Sequence, residues 1–290
     1  MQAMTRLATA AMMLGSLLGA MPLAAAPIET GRQIADVSGT PMVVFTYRPA
    51  GCSDPSLLMV FHGIARNARA YRDDARALAD RLCLLVVAPL FDRQVFPGWR
   101  YQRGGIVKGA AVQDARDFSG RVVLDLIAWV RQQEGRPIAY SLFGHSAGGQ
   151  FVDRLTAFVP TEARRIVVAN AGSYVFPSLE IDAPFGLGKV YSGTEGEAAL
   201  RRYLEQPLTI YLGQGDNPRR RAQRLSRGAG PRGIALPARS QRIQCGEDPG
   251  VDARLAIQLA ARRAARRRTQ RAQDACGAAS SRGFVALNRR

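Results

Sequence analysis

Gly144-His145-Ser146-Ala147-Gly148-Gly149 brings a hydroxyl, an imidazole and three glycines into one short stretch. A serine hydroxyl can attack an acyl carbon if a base takes its proton and an acid orients that base. N–H groups must also receive the negative charge that develops on the acyl oxygen. Ser146 is the candidate nucleophile, a helix N-cap serine being the alternative. The N–H of Ala147 and that of Ile64, in the run His62-Gly63-Ile64, are the candidate oxyanion donors; a plain tight turn is the alternative for that run. Asp216, in Gly213-Gln214-Gly215-Asp216, is the candidate acid, with an Asx-turn as its bland alternative and Asp182 as second choice. The only histidines are His62 and His145. His145 precedes Ser146 on the same turn, so its side chain is expected to face away from the hydroxyl. His62 is expected to make a structural hydrogen bond in the oxyanion loop.

Such residues need a frame to hold them. Residues 138–143 form a short, mostly apolar run of strand length, and Phe151, Leu155 and Phe158 then recur at helical spacing. Ser146 therefore falls at a strand-to-helix switch, where flanking glycines let the backbone fold beneath it. Apolar runs predict further strands at 42–47, 56–61, 84–90, 165–171 and 208–212. Helical spacing predicts a helix over 71–81 and a long one over 114–131, with Phe118, Val122, Leu126 and Trp129 on one face. Residues 174–192 are rich in Gly and Pro and read as a loop or cap over the sheet. Apolar strands alternating with helices indicate an α/β fold whose parallel sheet is covered on both faces. In such sheets ligands bind beyond the carboxyl ends of the strands. The three candidate segments each follow a strand directly, so they are expected to converge on one edge.

These motifs resemble those of the α/β-hydrolase superfamily, and more narrowly those of exported serine esterases similar to polyhydroxybutyrate depolymerases. The resemblance rests on His62-Gly63, the stretch from Gly144 to Gly149, the Ala169-Asn170-Ala171-Gly172 turn and 213–216, with Ser preceding Asp, and covers residues 40–217. It implies a mostly parallel, doubly wound sheet, hydrolysis of a small or polymeric carboxylic ester through an acyl-enzyme, and neither cofactor nor metal. It also implies a histidine after the acid, and none is present there. Losing a triad base costs about 10⁶ in rate and leaves about 10³–10⁴ over water, so the chain is expected to be impaired. The competing class is a non-catalytic, hydrolase-like protein that binds anions or nucleic acid through its arginines.

Charge sharpens that alternative. The chain has 290 residues, of which 47% are hydrophobic and 22% charged, with a net charge of +17. Residues 218–290 alone hold 18 Arg against 4 acidic residues. One reading of this tail is a basic patch around Arg262-Arg263 and Arg266-Arg267-Arg268, although only Phe284 among aromatics accompanies the arginines, which disfavours nucleic acid. A second is a solvated, disordered tail. The third, favoured here, is a displaced reading frame. Lys108 and Lys189 are the only lysines, the composition of GC-rich coding DNA. Codons chosen for Ile243 to Ala260, read one base later, give Phe-Asn-Ala-Ala-Lys-Thr-Leu-Ala-Ser-Thr-Leu-Gly-Leu-Pro-Phe-Asn-Trp, an amphipathic helix running into a strand. Codons for Arg268-Thr269-Gln270 likewise overlap Gly-His-Ser. On this reading the last strand and helix of the hydrolase fold are missing or disordered in the chain as written.

The expected organisation is a signal peptide at 1–26, a hydrolase domain at 27–217 and the aberrant tail at 218–290. Arg6, the apolar run from Leu7 to Leu23 and Ala24-Ala25-Ala26 supply the charged start, core and small-residue zone of an export signal. Export implies a periplasmic or extracellular location, with no membrane span left after cleavage, and an oxidising compartment. Cys52 and Cys83 each lie just before an apolar run, so they could meet at one sheet edge and pair; two buried free thiols are the alternative. Cys245 and Cys276 support no pairing argument, and nothing in the sequence speaks to oligomeric state.

Overall fold

A computed structural model of the chain describes residues 26–212. The expected signal segment, residues 213–216 with Asp216, Cys245, Cys276 and the arginine-rich tail lie outside the described residues. In chain order the elements are β1 (Gly31–Val37), β2 (Thr40–Tyr47), β3 (Ser56–Phe61), α1 (Ala68–Leu82), β4 (Leu84–Pro89), α2 (Gly98–Tyr101), β5 (Val107–Lys108), β6 (Ala111–Val112), α3 (Arg121–Glu134), β7 (Tyr140–His145), α4 (Ala147–Phe158), β8 (Arg165–Ala169), α5 (Gly193–Leu204) and β9 (Leu208–Tyr211). Among the described residues seven strands form one sheet in the order β1-β2-β4-β3-β7-β8-β9, and β5 and β6 form a separate small hairpin. From β4 through β9 every neighbouring pair is parallel, whereas β1 with β2 and β2 with β4 are antiparallel.

The sequence of β3, Ser-Leu-Leu-Met-Val-Phe, shows why both faces are covered. Leu57, Met59 and Phe61 enter one core with Val123, Leu126 and Ile127 of α3 and Phe151 and Leu155 of α4. Leu58 and Val60 enter the other with Tyr71, Ala75 and Leu78 of α1. Successive side chains of a strand point to opposite faces, so a strand buried on both sides must be apolar throughout. Each such side chain contributes about 1.5–3 kcal/mol when removed from water.

Cys52 and Cys83 form a disulfide, with Cα atoms 5.6 Å apart, where β3 and β4 begin side by side. Cys83 also ends α1 in the left-handed region at φ 52°, its N–H donating to Ala79 O.

The long helix expected over 114–131 is broken. A 3-10 turn at Ala115–Asp117, begun by the Asp114 carboxylate accepting from Arg116 N–H, runs into an extended Phe118, and α3 starts only at Arg121. Phe118 then packs edge-on against Phe158 rather than along the face of α3. At the break the Ser119 N–H donates to Gly104 O at 2.8 Å rather than to a helical carbonyl, and Gly120, where a Cβ would lie 2.9 Å from Val159 Cγ2, lets the chain pass close beside the end of α4. Five elements were not expected at all: β1, whose exposed and buried residues alternate, the short α2, the β5 and β6 hairpin, and α5.

Candidate active site

The order of the strands fixes where a ligand can sit. The chain leaves β3 toward β4 on one side and later returns as β7 on the other, so the strand order reverses at β3. A crevice opens beyond the carboxyl ends at such a reversal. Phe61 is paired with Gly144 across the β3–β7 ladder, which carries His62-Gly63-Ile64 and His145-Ser146 off the same edge. A Cβ placed on Gly63 would lie 3.8 Å from Ser146 Cβ. Two of the three candidate segments are thus in contact. The third follows β9, whose Tyr211 is paired with Ala169, and Ala169 O in turn accepts the Ser146 N–H at 2.9 Å.

Ser146 stands at φ 58°, ψ −115°, a conformation that costs a non-glycine residue on the order of 1–3 kcal/mol and persists only where its surroundings enforce it. The enforcement is steric and comes from glycine. A Cβ on Gly144 would lie 2.3 Å from Gly148 O, and one on Gly148 would lie 2.3 Å from Phe61 O. Helix α4 can therefore start almost on top of β3 and β7. The Ser146 hydroxyl does not cap α4. Among the described residues neither the Ala147 N–H nor the Ile64 N–H is committed to an acceptor; for Ala147 this is the usual state of a first-turn helix amide.

Both histidines are held by the scaffold. His62 is fully buried; its Nε2 accepts the Phe91 N–H at 3.1 Å, and its Nδ1, which must then carry the proton, donates to Gly63 O at 3.0 Å. His145 Nδ1 is 2.9 Å from the Tyr71 hydroxyl, on the side of the sheet covered by α1. Asp182 pairs with Lys189 at 2.6 Å, with both side chains more than half exposed, inside the loop between β8 and α5.

No protein-family profile matches the chain, and no curated protein does. Solved structures do. A poly(aspartic acid) hydrolase from Sphingomonas sp. KT-1 is 34% identical over 65% of this chain and 74% of its own, with a TM-score of 0.59. A poly(3-hydroxybutyrate) depolymerase from Bordetella parapertussis is 32% identical over 82% of this chain and 80% of its own, with a TM-score of 0.58. The chain belongs to the α/β-hydrolase superfamily.

In this hydrolase the helix that carries the serine also holds a loop in place. Arg154, fully buried in α4, donates through Nε to Pro184 O at 3.1 Å, through Nη1 to Ser173 O at 2.9 Å and through Nη2 to Ser173 Oγ at 3.1 Å. Its neighbour Asp153, also buried, accepts the Val175 N–H at 2.7 Å and the Tyr203 hydroxyl at 2.9 Å. Burial lowers the Arg154 pKa and raises those of Asp153 and Tyr203. Sequence reading found none of these residues, nor Tyr71, Arg66 and Tyr101. Their partners are separated by tens of residues, and no local pattern announces a buried charge.

Proposed function

We propose that this hydrolase cleaves carboxylic esters through an acyl-enzyme formed on Ser146. The observation that carries the proposal is the strained backbone of Ser146 at the junction of β7 and α4, beside Gly63, with its hydroxyl not spent on capping the helix. The Ser146 oxygen attacks the acyl carbon, and the carbonyl pair moves onto the oxygen, which the Ile64 and Ala147 N–H groups receive. The serine proton passes to a base and from it to the departing alkoxide, which leaves as the alcohol; water then attacks the acyl carbon, its proton passes through the base to the serine oxygen, and the acid is released. Asp216 is assigned to orient that base, and His62, Gly63 and His145 to support the loop and turn. With Nδ1 of His62 bound to Gly63 O and Nε2 to the Phe91 N–H, the base is not His62. The histidine expected after Asp216 is absent from the sequence, so turnover is slow. Sequencing the gene across codon 217 in all frames tests whether a histidine lies in the neighbouring frame.

The two relatives are named for poly(aspartic acid) and poly(3-hydroxybutyrate), which supports an acyl-linked polymer as the substrate class. The Cys52–Cys83 disulfide supports an exported protein, periplasmic or extracellular. The absence of a free imidazole on His62 favours one other reading, a non-catalytic shell. A fluorophosphonate probe decides between them. Labelling of Ser146 well above a Ser146→Ala control is expected, and equal labelling rejects the esterase.

A further inference from the structure

The residue that closes the Ile64 loop has a side chain tied to another part of the chain. Arg66 N–H donates to Gly63 O at 3.1 Å, so Gly63-Ile64-Ala65-Arg66 is a β-turn with Ile64 at its second position. Arg66 sits at φ 58°, which an L side chain rarely adopts unless held there. Its side chain does the holding. Nη1 donates to Phe91 O at 2.6 Å, Nη2 donates to Phe96 O at 2.7 Å, and the guanidinium lies 4.3 Å over the Tyr101 ring. The other end of the turn is fastened to the same stretch. Phe91 N–H donates to His62 Nε2, and the buried Tyr101 hydroxyl donates to His62 O at 2.7 Å.

We infer that Arg66 is a positioning residue for the oxyanion loop: by binding two carbonyls and the face of Tyr101 it fixes the direction of the Ile64 N–H without itself meeting the substrate. The inference rests on the assignment of Ser146 and Ile64 above. Only a guanidinium meets these demands, because it offers planar, divergent donors and a flat face at once, while an ammonium is a compact point charge. Amide donors stabilise an oxyanion only when aimed beforehand, and a misplacement of about 1 Å can cost about 10²-fold in rate.

The test is the rate at which a fluorophosphonate modifies Ser146 in the full chain, resolved into a maximal rate and a half-saturating concentration. Arg66→Ala is expected to lower the maximal rate about 10–100-fold with the half-saturating concentration unchanged within about twofold. Arg66→Lys should do no better, and millimolar guanidinium should restore part of the loss in Arg66→Ala alone. A maximal rate in Arg66→Ala within about twofold of wild type, or a change confined to the half-saturating concentration, overturns the inference. Should Arg66→Ala lose cooperative melting, Arg66→Gln takes its place, since it keeps a polar side chain but removes the charged fork that binds the Phe91 and Phe96 carbonyls and covers Tyr101. A fall of about 3–10-fold supports the positioning role, and an unchanged rate overturns it. Wild type labelling no faster than Ser146→Ala overturns the assignment of Ser146, and the role of Arg66 with it.

Discussion

Replacing Gly148 by alanine sets two effects of known size against each other. In an exposed helix interior, alanine is more stable than glycine by about 1 kcal/mol. At Gly148, which lies in α4, the new methyl would sit 2.3 Å from Phe61 O, 2.6 Å from Phe61 C and 2.7 Å from His62 O. All three are backbone atoms at the end of β3, so no rotamer change relieves the overlap. Ordinary contact begins near 3.4 Å, so the helix start and the strand end must separate by about 1 Å. Overpacking of this kind costs about 1–3 kcal/mol, and backbone against backbone belongs at the upper end. The net loss is about 2 kcal/mol, or a fall of about 4–8 °C in melting midpoint for a domain of this size. The same displacement carries Ser146 and the Ala147 N–H away from Ile64, so labelling of Ser146 by a fluorophosphonate should slow by about 10²-fold. Gly172→Ala is the matched control. Its methyl would meet only the Gln150 side-chain amide, at 3.1 Å, which can turn aside. Calorimetry and the labelling time course read both effects. If Gly148→Ala melts at or above wild type and labels at the wild-type rate, the close approach of α4 to β3 is not what holds the serine.

Three further outcomes follow from the same geometry. Arg154→Met removes a buried cation from Pro184 O, Ser173 O and Ser173 Oγ, and should cost about 3 kcal/mol or more in urea-unfolding free energy; a loss below about 1 kcal/mol would refute its part in holding the loop. Tyr101 and Tyr203 have pKa values pushed well above 10.0 by burial. Above about pH 10 the unfolded chain releases these protons and the folded chain keeps them, so stability should fall as pH rises, and less steeply in Tyr203→Phe; a urea midpoint unchanged between pH 9 and 11 contradicts this. Reducing the Cys52–Cys83 bridge, which spans a sequence separation of 31, should cost about 3–4 kcal/mol of stability while leaving the rate of Ser146 labelling unchanged, since the bridge joins the strands at their opposite ends.

The parallel strands were legible because each is an unbroken apolar run, and burial on both faces leaves no other composition. The convergence of His62-Gly63-Ile64 with Ser146 was legible too, because segments that follow parallel strands share an edge. What escaped was non-local. Strand β1 alternates Arg32, Ile34 and Asp36 with residues of the opposite face, a pattern visible only once β2 is known to need a partner. The helix expected over 114–131 followed the spacing of Phe118 and Val122, but spacing carries no warning that the Ser119 N–H finds its acceptor at Gly104 O. Arg66, Arg154 and Asp153 are singled out by no local pattern. Their roles depend on Phe91, Pro184 and Val175, which only the fold brings near.

Five consecutive residue pairs, Leu57 with Tyr140 through Phe61 with Gly144, fasten β3 to β7 immediately below the serine. The aperture between Gly63 and Ser146 is therefore anchored from directly below by the spacing of adjacent central strands. A rigid gap of that kind selects by shape. Tetrahedral anions of increasing bulk should lose affinity in steps that follow their size alone, and their arrival should show no slow phase of closure.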